Sequence, residues 1–269
     1  MLVPPQLLLL VKEPNVAKYD QSHVRTVLSG AAPLTVEVYR LLTKLLPQAH
    51  ICQAYGSTET SGIISISPLY PKHMRPNSSG ALVPGVRARI VKPDGTLAGY
   101  DEEGELHVKT PALATGYLND EAATRATFLG DSWMRTGDLV KMDRSNEIVV
   151  VDRIKEMIKV RGFQVAPVEL EGCILDHPMV TDVCVVGVPH LYNGEVPFAF
   201  VTISHEGQQM NKAELKASIQ RHIEKNKAPF KRLHYVEIID SIPKTPSGKL
   251  LRRVLRQEAR KLVVPSAKL

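Results

Sequence analysis

The sequence predicts an α/β segment over residues 1–152, a small α+β domain over residues 153–261 and a short tail over residues 262–269. Three observations support this fold class. The 269 residues are 43% hydrophobic and 23% charged, which is ordinary for globular domains. The first segment mixes helical apolar spacing with strand-like alternation. After Asp152, apolar strands alternate with helices over about a hundred residues, the size of a small α+β domain.

The first segment contains one clear helix and several strand candidates. Apolar residues at helical spacing predict a helix over Thr35–Leu46, which the following proline would end. Arg87–Val91 and Leu97 flank a Pro-Asp-Gly turn sequence, which is typical of a hairpin. Strand-like patterns also predict strands over Glu105–Lys109 and Glu147–Val151.

The second segment alternates strands with helices. Helix patterns cover Pro167–Leu175 and Leu250–Leu262, and Asn211 is a candidate N-cap for a third helix. Runs rich in β-branched and other apolar residues predict three strands, Val180–Val188, Phe198–Ile203 and His234–Ile239.

Charge and composition narrow the possible partners. The net charge is +6, but Lys and Arg are interleaved with Asp and Glu along most of the chain. Basic residues concentrate only between Lys249 and Lys261, which indicates a solvated helix face. With 5% aromatic residues and no recognisable reader motif, the sequence predicts no nucleic-acid partner.

No apolar run reaches membrane-spanning length, and Leu7–Val11 is too short for a signal peptide or an anchor. The sequence therefore predicts no membrane span. The three cysteines, Cys52, Cys173 and Cys184, share no metal-like or redox-like spacing. They are predicted to be small core residues in a reducing compartment.

Three motifs in the first segment combine small, hydroxylated and acidic residues. Tyr55–Thr60 places a glycine before a hydroxyl and a carboxylate, which suits a phosphate and a hard cation but equally describes a polar loop. Ser29–Leu34 offers small residues that either form a tight turn or leave room for a flat ring. Met134–Asp138 ends in a carboxylate that can accept both hydroxyls of a ribose, although an ordinary turn explains it equally.

Two further motifs carry lysines. In Asp152–Pro167, Lys155 and Lys159 alternate with apolar residues, as they would on an exposed helix or a hairpin edge. In Pro243–Lys249, two prolines and a glycine shape a loop whose terminal lysine is either a flexible surface residue or a cation that reaches an anionic transition state.

In this order and spacing, the motifs resemble those of the adenylate-forming superfamily of acyl-CoA synthetases, luciferases and peptide-synthetase adenylation domains. Within that superfamily, the motifs look like those of 4-coumarate–CoA ligase-like enzymes and beetle luciferase. Six matches in register are specific, and they comprise Ser29–Leu34, Gln53–Thr60, Gly104–Leu106 with Gly116-Tyr117, Arg135–Asp138, Asp152–Glu171 and Pro243–Lys249.

The resemblance implies a fold and a set of ligands. Residues 1–152 would be the C-terminal portion of the large AMP-binding domain, with its sheets and a small β-barrel, and residues 153–261 a mobile lid. The implied ligands are ATP, which yields AMP, together with Mg²⁺ and coenzyme A. The adenine and the acyl group would lie against Gly30, Ala31, Ala32, Gln53, Ala54, Tyr55 and Gly56.

For the phosphate side of the site, the resemblance implies that Thr58 contacts the AMP phosphate and that Glu59 holds Mg²⁺. Asp138 would bind the ribose hydroxyls, with Arg153 nearby.

The implied roles in the lid concern two half-reactions. Lys155 would be the hinge, and Lys249 would reach the carboxylate and the α-phosphate during adenylation. Lys159 and Gln164 would act after the lid has turned. The pantetheine channel for CoA would be lined by Arg161, Gly162 and Phe163.

The implied activity is that of an AMP-forming acid–thiol ligase, in which a carboxylic acid, ATP and CoA give acyl-CoA, AMP and pyrophosphate. Three alternatives remain open at this point. They are a luciferase-type oxidation, the loading of a carrier protein, and an inactive truncated remnant or fragment that only binds.

Full-length members carry a Ser/Thr/Gly-rich loop, ending in Pro-Lys-Gly, well before the segment that matches Ser29–Leu34. Gly30 is the first glycine of this chain. We therefore expect a truncated product that lacks the N-terminal half, adenylates weakly by itself, and has that half as its partner in a full-length form.

The last three residues, Ala267-Lys268-Leu269, resemble the Ser-Lys-Leu address that the peroxisomal import receptor reads. The sequence therefore predicts a peroxisomal protein. Small residues near Gly30 and the Ser61-Gly62 pair suit an aryl or medium-chain acid, in a degradative or secondary-metabolite pathway such as fungal toxin synthesis.

Overall fold

The computed structural model describes residues 2–68, 75, 78–245 and 248–263. They fall into two compact units, Met1–Lys155 (unit 1) and Glu156–Leu269 (unit 2). The division thus follows Lys155, slightly later than the predicted boundary after Asp152. The reason is that Arg153 still belongs to the last strand of unit 1, where it is the register partner of Asp138.

Unit 1 mixes three helices with a sheet that has nine strands among its described residues. The helices are α1 (Pro4–Lys12), α2 (Val36–Leu45) and α3 (Glu121–Thr127). The strands are β1 (Thr26–Ser29), β2 (His50–Ser57), β3 (Gly62–Ile66), β4 (Ser78–Leu82), β5 (Arg87–Val91), β6 (Gly104–Lys109), β7 (Phe128–Leu129), β8 (Trp133–Met142) and β9 (Glu147–Arg153).

The sheet of unit 1 begins as a parallel pair and continues antiparallel. Strands β1 and β2 pair in parallel across helix α2, as a β-α-β crossover requires. The Thr35 side chain caps α2 by accepting from the Val38 amide, so the predicted helix is confirmed within one residue at each end. The pairing path runs β1-β2-β3-β4-β9-β8-β6-β5, with β7 added to β8. The strands of unit 1 are thus linked by one continuous pairing path among its described residues.

The core of unit 1 lies between the antiparallel strands. Its buried cluster comprises Ile64, Ile90, Leu106, Val108, Met134, Val140 and Ile148. Along β5, β8 and β9 these residues alternate with exposed or half-buried neighbours, the pattern of a sheet with one buried face. In β6, His107 between Leu106 and Val108 is buried as well.

Unit 2 is a small α+β domain, so the predicted fold class is confirmed. Its described residues form a five-stranded sheet. The strands are β10 (Ile158–Val160), β11 (Phe163–Val165), β12 (Val180–His190), β13 (Gly194–Ile203) and β14 (Tyr235–Ile238). The helices are α4 (Pro167–Leu175), α5 (His205–Gln208), α6 (Lys212–Asn226) and α7 (Arg252–Val263).

The local sequence explains the elements of unit 2. Pro167 occupies the first turn of α4, where its missing amide hydrogen is not needed. Asn211 caps α6 by accepting from the amides of Ala213 and Glu214. The core gathers residues from β12, β13, α7 and the loop between β14 and α7, namely Cys184, Val186, Val188, Val196, Phe198, Phe200, Ile242, Leu255 and Ala259.

The three cysteines are free and buried, as predicted. Burial raises the pKa of Cys184 to about 12, so its thiol stays protonated and inert. Among the residues that the structure describes, no helix is both long enough and apolar enough to cross a membrane. The predicted peroxisomal tripeptide lies outside the described residues.

Candidate functional site

The loop that follows β1 is fastened to the sheet by Gln53. Its side-chain oxygen accepts from the Leu34 amide at 2.6 Å, and its nitrogen donates to the Ser79 hydroxyl at 3.0 Å and the Ser78 carbonyl at 3.2 Å. Gln53 is buried in β2, so its amide group joins the loop to β4. The predicted pocket residue therefore shapes the loop through protein contacts.

The loop itself exposes its small residues. Gly30 is buried at the end of β1, whereas Ala31 and Ala32 are exposed. Ala31 has φ +71°, a left-handed conformation that non-glycine residues rarely adopt. Such strained positions persist where the surrounding structure enforces them, and Gln53 holds the same loop at Leu34.

Asp138 lies buried between a tyrosine and an arginine. Its Oδ2 accepts from the Tyr55 hydroxyl at 2.5 Å, and its Oδ1 is 3.1 Å from Arg153 Nε. Burial, followed by the charge of Asp138, raises the pKa of Tyr55 well above its ordinary value. The phenol therefore remains a donor to the carboxylate.

A local irregularity in β8 directs Asp138 toward these partners. Gly137 has φ +70°, which glycine adopts at little cost. The Thr136 hydroxyl donates to the Leu106 carbonyl at 2.8 Å and accepts from the Asp138 amide at 3.1 Å. The motif that could be explained as an ordinary turn is thus part of a strand, with its bend fixed by Thr136.

Thr58 and Glu59 lie in a short 3-10 turn between β2 and β3. Gly56 lets the main chain of β2 pass close to that of β3, because a Cβ at this position would stand 2.0 Å from the Gly62 carbonyl oxygen. Thr60 is buried and closes the turn by donating to main-chain carbonyls on either side. Thr58 is left exposed, and Glu59 half-buried.

The Glu59 carboxylate is held by Tyr117. The Tyr117 hydroxyl donates to Glu59 Oε1 at 2.7 Å, and the Ala114 amide donates to the Glu59 carbonyl at 2.8 Å. Burial acts to raise the pKa of Glu59, but hydrogen bonds, above all the one from Tyr117, outweigh it and the pKa is lowered. Glu59 is therefore ionised at neutral pH.

The residues around Glu59 fit a nucleotide-bound Mg²⁺. Among the described residues, no three His, Cys, Asp or Glu side chains are grouped so that they could hold a metal by themselves. Mg²⁺ in nucleotide sites is typically bound through one or two carboxylates together with the phosphates of the substrate. An ionised, half-exposed Glu59 beside the exposed Thr58 matches that pattern.

These residues form one group in unit 1. Arg153, the partner of Asp138, also interacts electrostatically with Glu59 and Tyr117. We call Tyr55, Glu59, Tyr117, Asp138 and Arg153 the carboxylate cluster. Lys155, the predicted hinge residue, is exposed at the end of unit 1, two positions after Arg153.

In unit 2, Lys159 and Gln164 face each other across the β10–β11 hairpin as register partners, and both are exposed. Arg161 and Gly162 form the two-residue turn, with φ of +49° and +85°. Of the two alternatives that the sequence left open, the hairpin edge is correct for Lys159. Lys155 instead lies exposed in a short 3-10 helix, Ile154–Glu156.

The hairpin turn is anchored from outside. Arg161 donates through its amide to the Asn193 carbonyl at 2.8 Å and through Nε to the Asn193 side chain at 2.5 Å. Phe163 is 55% exposed and stacks on Phe230, with ring centroids 4.6 Å apart. The turn thus presents a cation and an aromatic pair on a fixed frame.

Lys249 lies on a separate loop of the same unit. Thr245 binds its main chain twice, donating to the Lys249 carbonyl at 2.8 Å and accepting from the Lys249 amide at 3.0 Å. Ion pairs anchor the flanking residues, Lys244 with Asp182 and Arg252 with Glu171. The Lys249 side chain is exposed, while Pro246 and Ser247 of the motif lie outside the described residues.

The sequence places Arg153 near Asp138, and its Nε lies 3.1 Å from the Asp138 carboxylate. It gives no role to Tyr117, which binds the Glu59 carboxylate, or to Thr136, which binds the Asp138 amide. No local pattern signals a bond between residues 58 positions apart, such as Tyr117 and Glu59.

The chain matches two family models, "AMP-binding enzyme" over residues 1–118 and "AMP-binding enzyme C-terminal domain" over residues 169–249. It is 42% identical to 4-coumarate-CoA ligase 2 of Narcissus pseudonarcissus, over 95% of this chain and 45% of the relative. It is 39% identical to 4-coumarate–CoA ligase 1 of Glycine max, over 95% of this chain and 87% of the relative. It is 40% identical to peroxisomal OPC-8:0-CoA ligase 1 of Arabidopsis thaliana, over 94% of this chain and 46% of the relative. The chain thus spans about half the length of two of these three relatives.

Solved structures agree with these matches. The anthranilate CoA ligase AuaEII in complex with anthranoyl-AMP superposes with a TM-score of 0.87 at 27% identity, over 97% of this chain and 50% of that one. ATP-bound MatB from Rhodopseudomonas palustris superposes with a TM-score of 0.85 at 29% identity, over 97% and 51%.

Proposed function

Because the chain belongs to the adenylate-forming family of AMP-binding enzymes, we propose that its protein is an acyl-CoA ligase. It converts a carboxylic acid, ATP and CoA into acyl-CoA, AMP and pyrophosphate. Since the chain spans about half of most relatives described above, the reaction is proposed for the whole protein to which these residues belong.

The observation that carries the proposal is the carboxylate cluster. A ribose needs a carboxylate that accepts from two hydroxyls, and Asp138 is held at its place by Tyr55 and Arg153. A phosphate-bound cation needs an ionised oxygen ligand, and the lowered pKa of Glu59 keeps its carboxylate ionised. The positive charge of Arg153 also interacts with this carboxylate. The cluster thus suits AMP with a cation on its phosphate.

In the first half-reaction, a carboxylate oxygen of the acid forms a bond to the α-phosphorus of ATP. The bond from that phosphorus to the pyrophosphate oxygen breaks, and pyrophosphate leaves with its electron pair. Thr58 contacts the α-phosphate, and the Lys249 cation stabilises charge that develops on the oxygens around phosphorus. Mg²⁺ bound at Glu59 would neutralise part of the polyphosphate charge.

In the second half-reaction, the CoA thiol loses its proton to solvent water and its sulfur attacks the acyl carbon. The bond from that carbon to the AMP oxygen breaks, and AMP leaves. Lys159 and Gln164 serve this step from the β10 and β11 hairpin, and Arg161, Gly162 and Phe163 line the path of the pantetheine arm. In this proposal the lid rotates about Lys155 between the two half-reactions. The Lys249 loop then serves the first half-reaction, and this hairpin serves the second.

We propose an aryl or medium-chain acid as the substrate. The exposed Ala31 and Ala32 leave space beside the buried Gly30, which suits a flat or slender acyl group. The relatives named for 4-coumarate and the neighbour named for anthranilate support an aryl acid first. A degradative or secondary-metabolite pathway would supply such an acid.

We propose the peroxisome as the location. Residues 267–269 are Ala-Lys-Leu, which resembles the tripeptide that the import receptor reads. A relative with 40% identity is named as a peroxisomal ligase. Fusion of residues 262–269 to a fluorescent protein tests the signal, and a diffuse cytosolic distribution would contradict it.

The reaction is tested by incubating the protein with ATP, Mg²⁺, CoA and one acid at a time, from 4-coumarate, anthranilate, benzoate and octanoate. Acid-dependent AMP and the matching acyl-CoA are measured by chromatography. The two half-reactions are also assayed separately, as ATP–pyrophosphate exchange and as conversion of a synthetic acyl-AMP. We expect acyl-CoA from at least one aryl acid. An absence of both half-reactions with every acid would contradict the proposal.

A further inference from the structure

We propose that Tyr117 is a positioning residue, which fixes the carboxylate of Glu59 in the orientation that a nucleotide-bound divalent cation requires. This inference rests on the proposed function, because that function makes Glu59 the metal ligand. Among the roles that the family resemblance implies, none falls on Tyr117.

The segment that contains Tyr117 holds Glu59 at two points. Its phenol donates to the Glu59 side chain at 2.7 Å, and the amide of Ala114 donates to the Glu59 carbonyl at 2.8 Å. One short segment therefore fixes both the main chain and the carboxylate of the same residue. A packing role alone would not need the Tyr117 phenol to reach the carboxylate.

Tyr117 is itself held in place. Its amide donates to the Thr124 hydroxyl at 2.8 Å, and that hydroxyl donates to the Asp120 carbonyl at 2.8 Å. Gly116 allows this approach, because a Cβ on it would stand 2.7 Å from Thr124 Cγ2. The ring packs edge-on against Phe128, with centroids 5.8 Å apart. The phenol is therefore oriented before any ligand arrives.

A neutral phenol is suited to this task. It occupies one oxygen of the carboxylate with a single directed hydrogen bond and carries no positive charge that would compete with a cation. Hydrogen bonds of this kind to ligating carboxylates orient them, and their loss typically lowers metal affinity about 10- to 100-fold. Tyr117 is 39% exposed, so the bond lies beside solvent that a nucleotide could displace.

The test uses Tyr117→Phe, which keeps the ring and its packing and removes only the hydroxyl. Tyr100→Phe is the matched control, because the Tyr100 hydroxyl is also exposed and donates to Asn146 at 2.8 Å in the same unit. Binding of Mn²⁺ to the full chain with saturating AMP is followed by electron paramagnetic resonance. We expect the Kd for Mn²⁺ to rise about tenfold or more in Tyr117→Phe and to stay unchanged in Tyr100→Phe.

Thr124→Val provides a second variant, because it removes the hydroxyl that anchors Tyr117 and leaves the phenol present. It should raise the Kd for Mn²⁺ by a smaller factor than Tyr117→Phe. The same Kd for wild type and both Tyr117→Phe and Thr124→Val would overturn the inference, as would no Mn²⁺ binding by the wild type. If Tyr117→Phe does not fold, the Thr124→Val result decides.

A second readout separates the inference from the proposed function. Acid-dependent ATP–pyrophosphate exchange is measured over a range of Mg²⁺ concentrations for the whole protein to which these residues belong, as wild type and as Tyr117→Phe. No exchange with a Tyr117-dependent Mn²⁺ affinity would contradict the ligase and leave the inference standing. Exchange whose half-saturating Mg²⁺ concentration is the same in Tyr117→Phe would contradict the inference and leave the ligase standing.

Discussion

The acidic candidate residues of unit 1 and the basic ones of unit 2 are positioned in opposite ways. In unit 1, the side chains of Glu59 and Asp138 are each held by a tyrosine hydroxyl. In unit 2, Lys159 and Lys249 are exposed, and main-chain bonds of a hairpin and a closed loop determine where they start. A group that binds a nucleotide throughout a reaction benefits from a side chain in a fixed orientation. A lysine that acts in only one of two half-reactions needs only its main chain to be fixed.

The largest effect is expected from the anchor of the Lys249 loop. The Arg252–Glu171 pair has side chains that are 13% and 8% exposed. Removing one partner of a buried pair leaves the other charge uncompensated, so Arg252→Ala should lower the free energy of unfolding by about 3–5 kcal/mol. Urea denaturation followed by circular dichroism measures this change.

Lys261→Ala on the same helix is the control for Arg252→Ala. Its pair with Glu258 has side chains that are 74% and 51% exposed, so the loss should be about 1 kcal/mol or less. Equal losses in the two variants would contradict the view that unit 2 positions its lysine through a buried scaffold.

The next largest effect concerns the fixed carboxylates of unit 1. Asp138→Asn keeps the side-chain shape but loses the charge that faces Arg153 and that, in the proposed function, accepts from the two ribose hydroxyls. Hydrogen bonds to charged groups contribute about 1.5–3 kcal/mol, so the Kd for AMP should rise about 10- to 100-fold. Isothermal titration calorimetry measures it.

Asp101→Asn is the control for Asp138→Asn, since Asp101 is an exposed member of a 3.8 Å ion pair with Arg144 in the same unit. It should leave AMP affinity unchanged. If Asp138→Asn binds AMP with the same Kd as the wild type and Asp101→Asn, the carboxylate cluster is not the ribose site.

The smallest effect is a pH dependence in unit 1. Burial lowers the pKa of His107 below its ordinary value of 6.5. Its Nδ1 accepts from Arg89 Nε at 3.4 Å and its other nitrogen faces Glu105, so the neutral ring fits the fold. Below pH 6.5 the unfolded chain binds more protons at this site than the folded one, so stability falls as pH falls. His107→Gln should therefore flatten the decrease in unfolding free energy between about pH 7 and 5.

Exposed His23→Gln is the control for His107→Gln and should leave the slope as it is in the wild type. Denaturant titrations at several pH values measure both slopes. An unchanged slope in His107→Gln would assign the pH dependence to other groups, such as the Glu105 carboxylate, whose pKa is lowered.

Elements with regular periodicity could be predicted from the sequence. The helix over Pro167–Leu175 is confirmed at both ends, and Asn211 caps the helix that it predicts. Strand β4 gave no signal, because its first residues are serines and a glycine that are buried by hydrogen bonds rather than by apolar side chains. Helix α1 could not be predicted from periodicity, because its four leucines are consecutive and show no clear amphipathic spacing. The sequence indicates only an apolar run that is too short to span a membrane.

The candidate site likewise contains residues that could be predicted from the sequence and residues that could not. Motif residues such as Glu59 and Asp138 could be found because their chemistry is local to a short pattern. The hydroxyls that hold them could not, because Tyr55 and Asp138 are 83 positions apart and meet only through the pairing of the sheet. Long-range contacts of this kind depend on register, which a single sequence does not reveal.

The exchange of lysines between two half-reactions is the central claim, and comparing Lys249→Ala with Lys159→Ala tests it most directly. Both half-reactions are measured in each variant, with exposed Lys225→Ala as the control. We expect Lys249→Ala to slow acid-dependent ATP–pyrophosphate exchange about 10²- to 10³-fold and to leave conversion of acyl-AMP to acyl-CoA near wild type. Lys159→Ala should do the reverse. Equal slowing of both half-reactions by either variant would contradict the account.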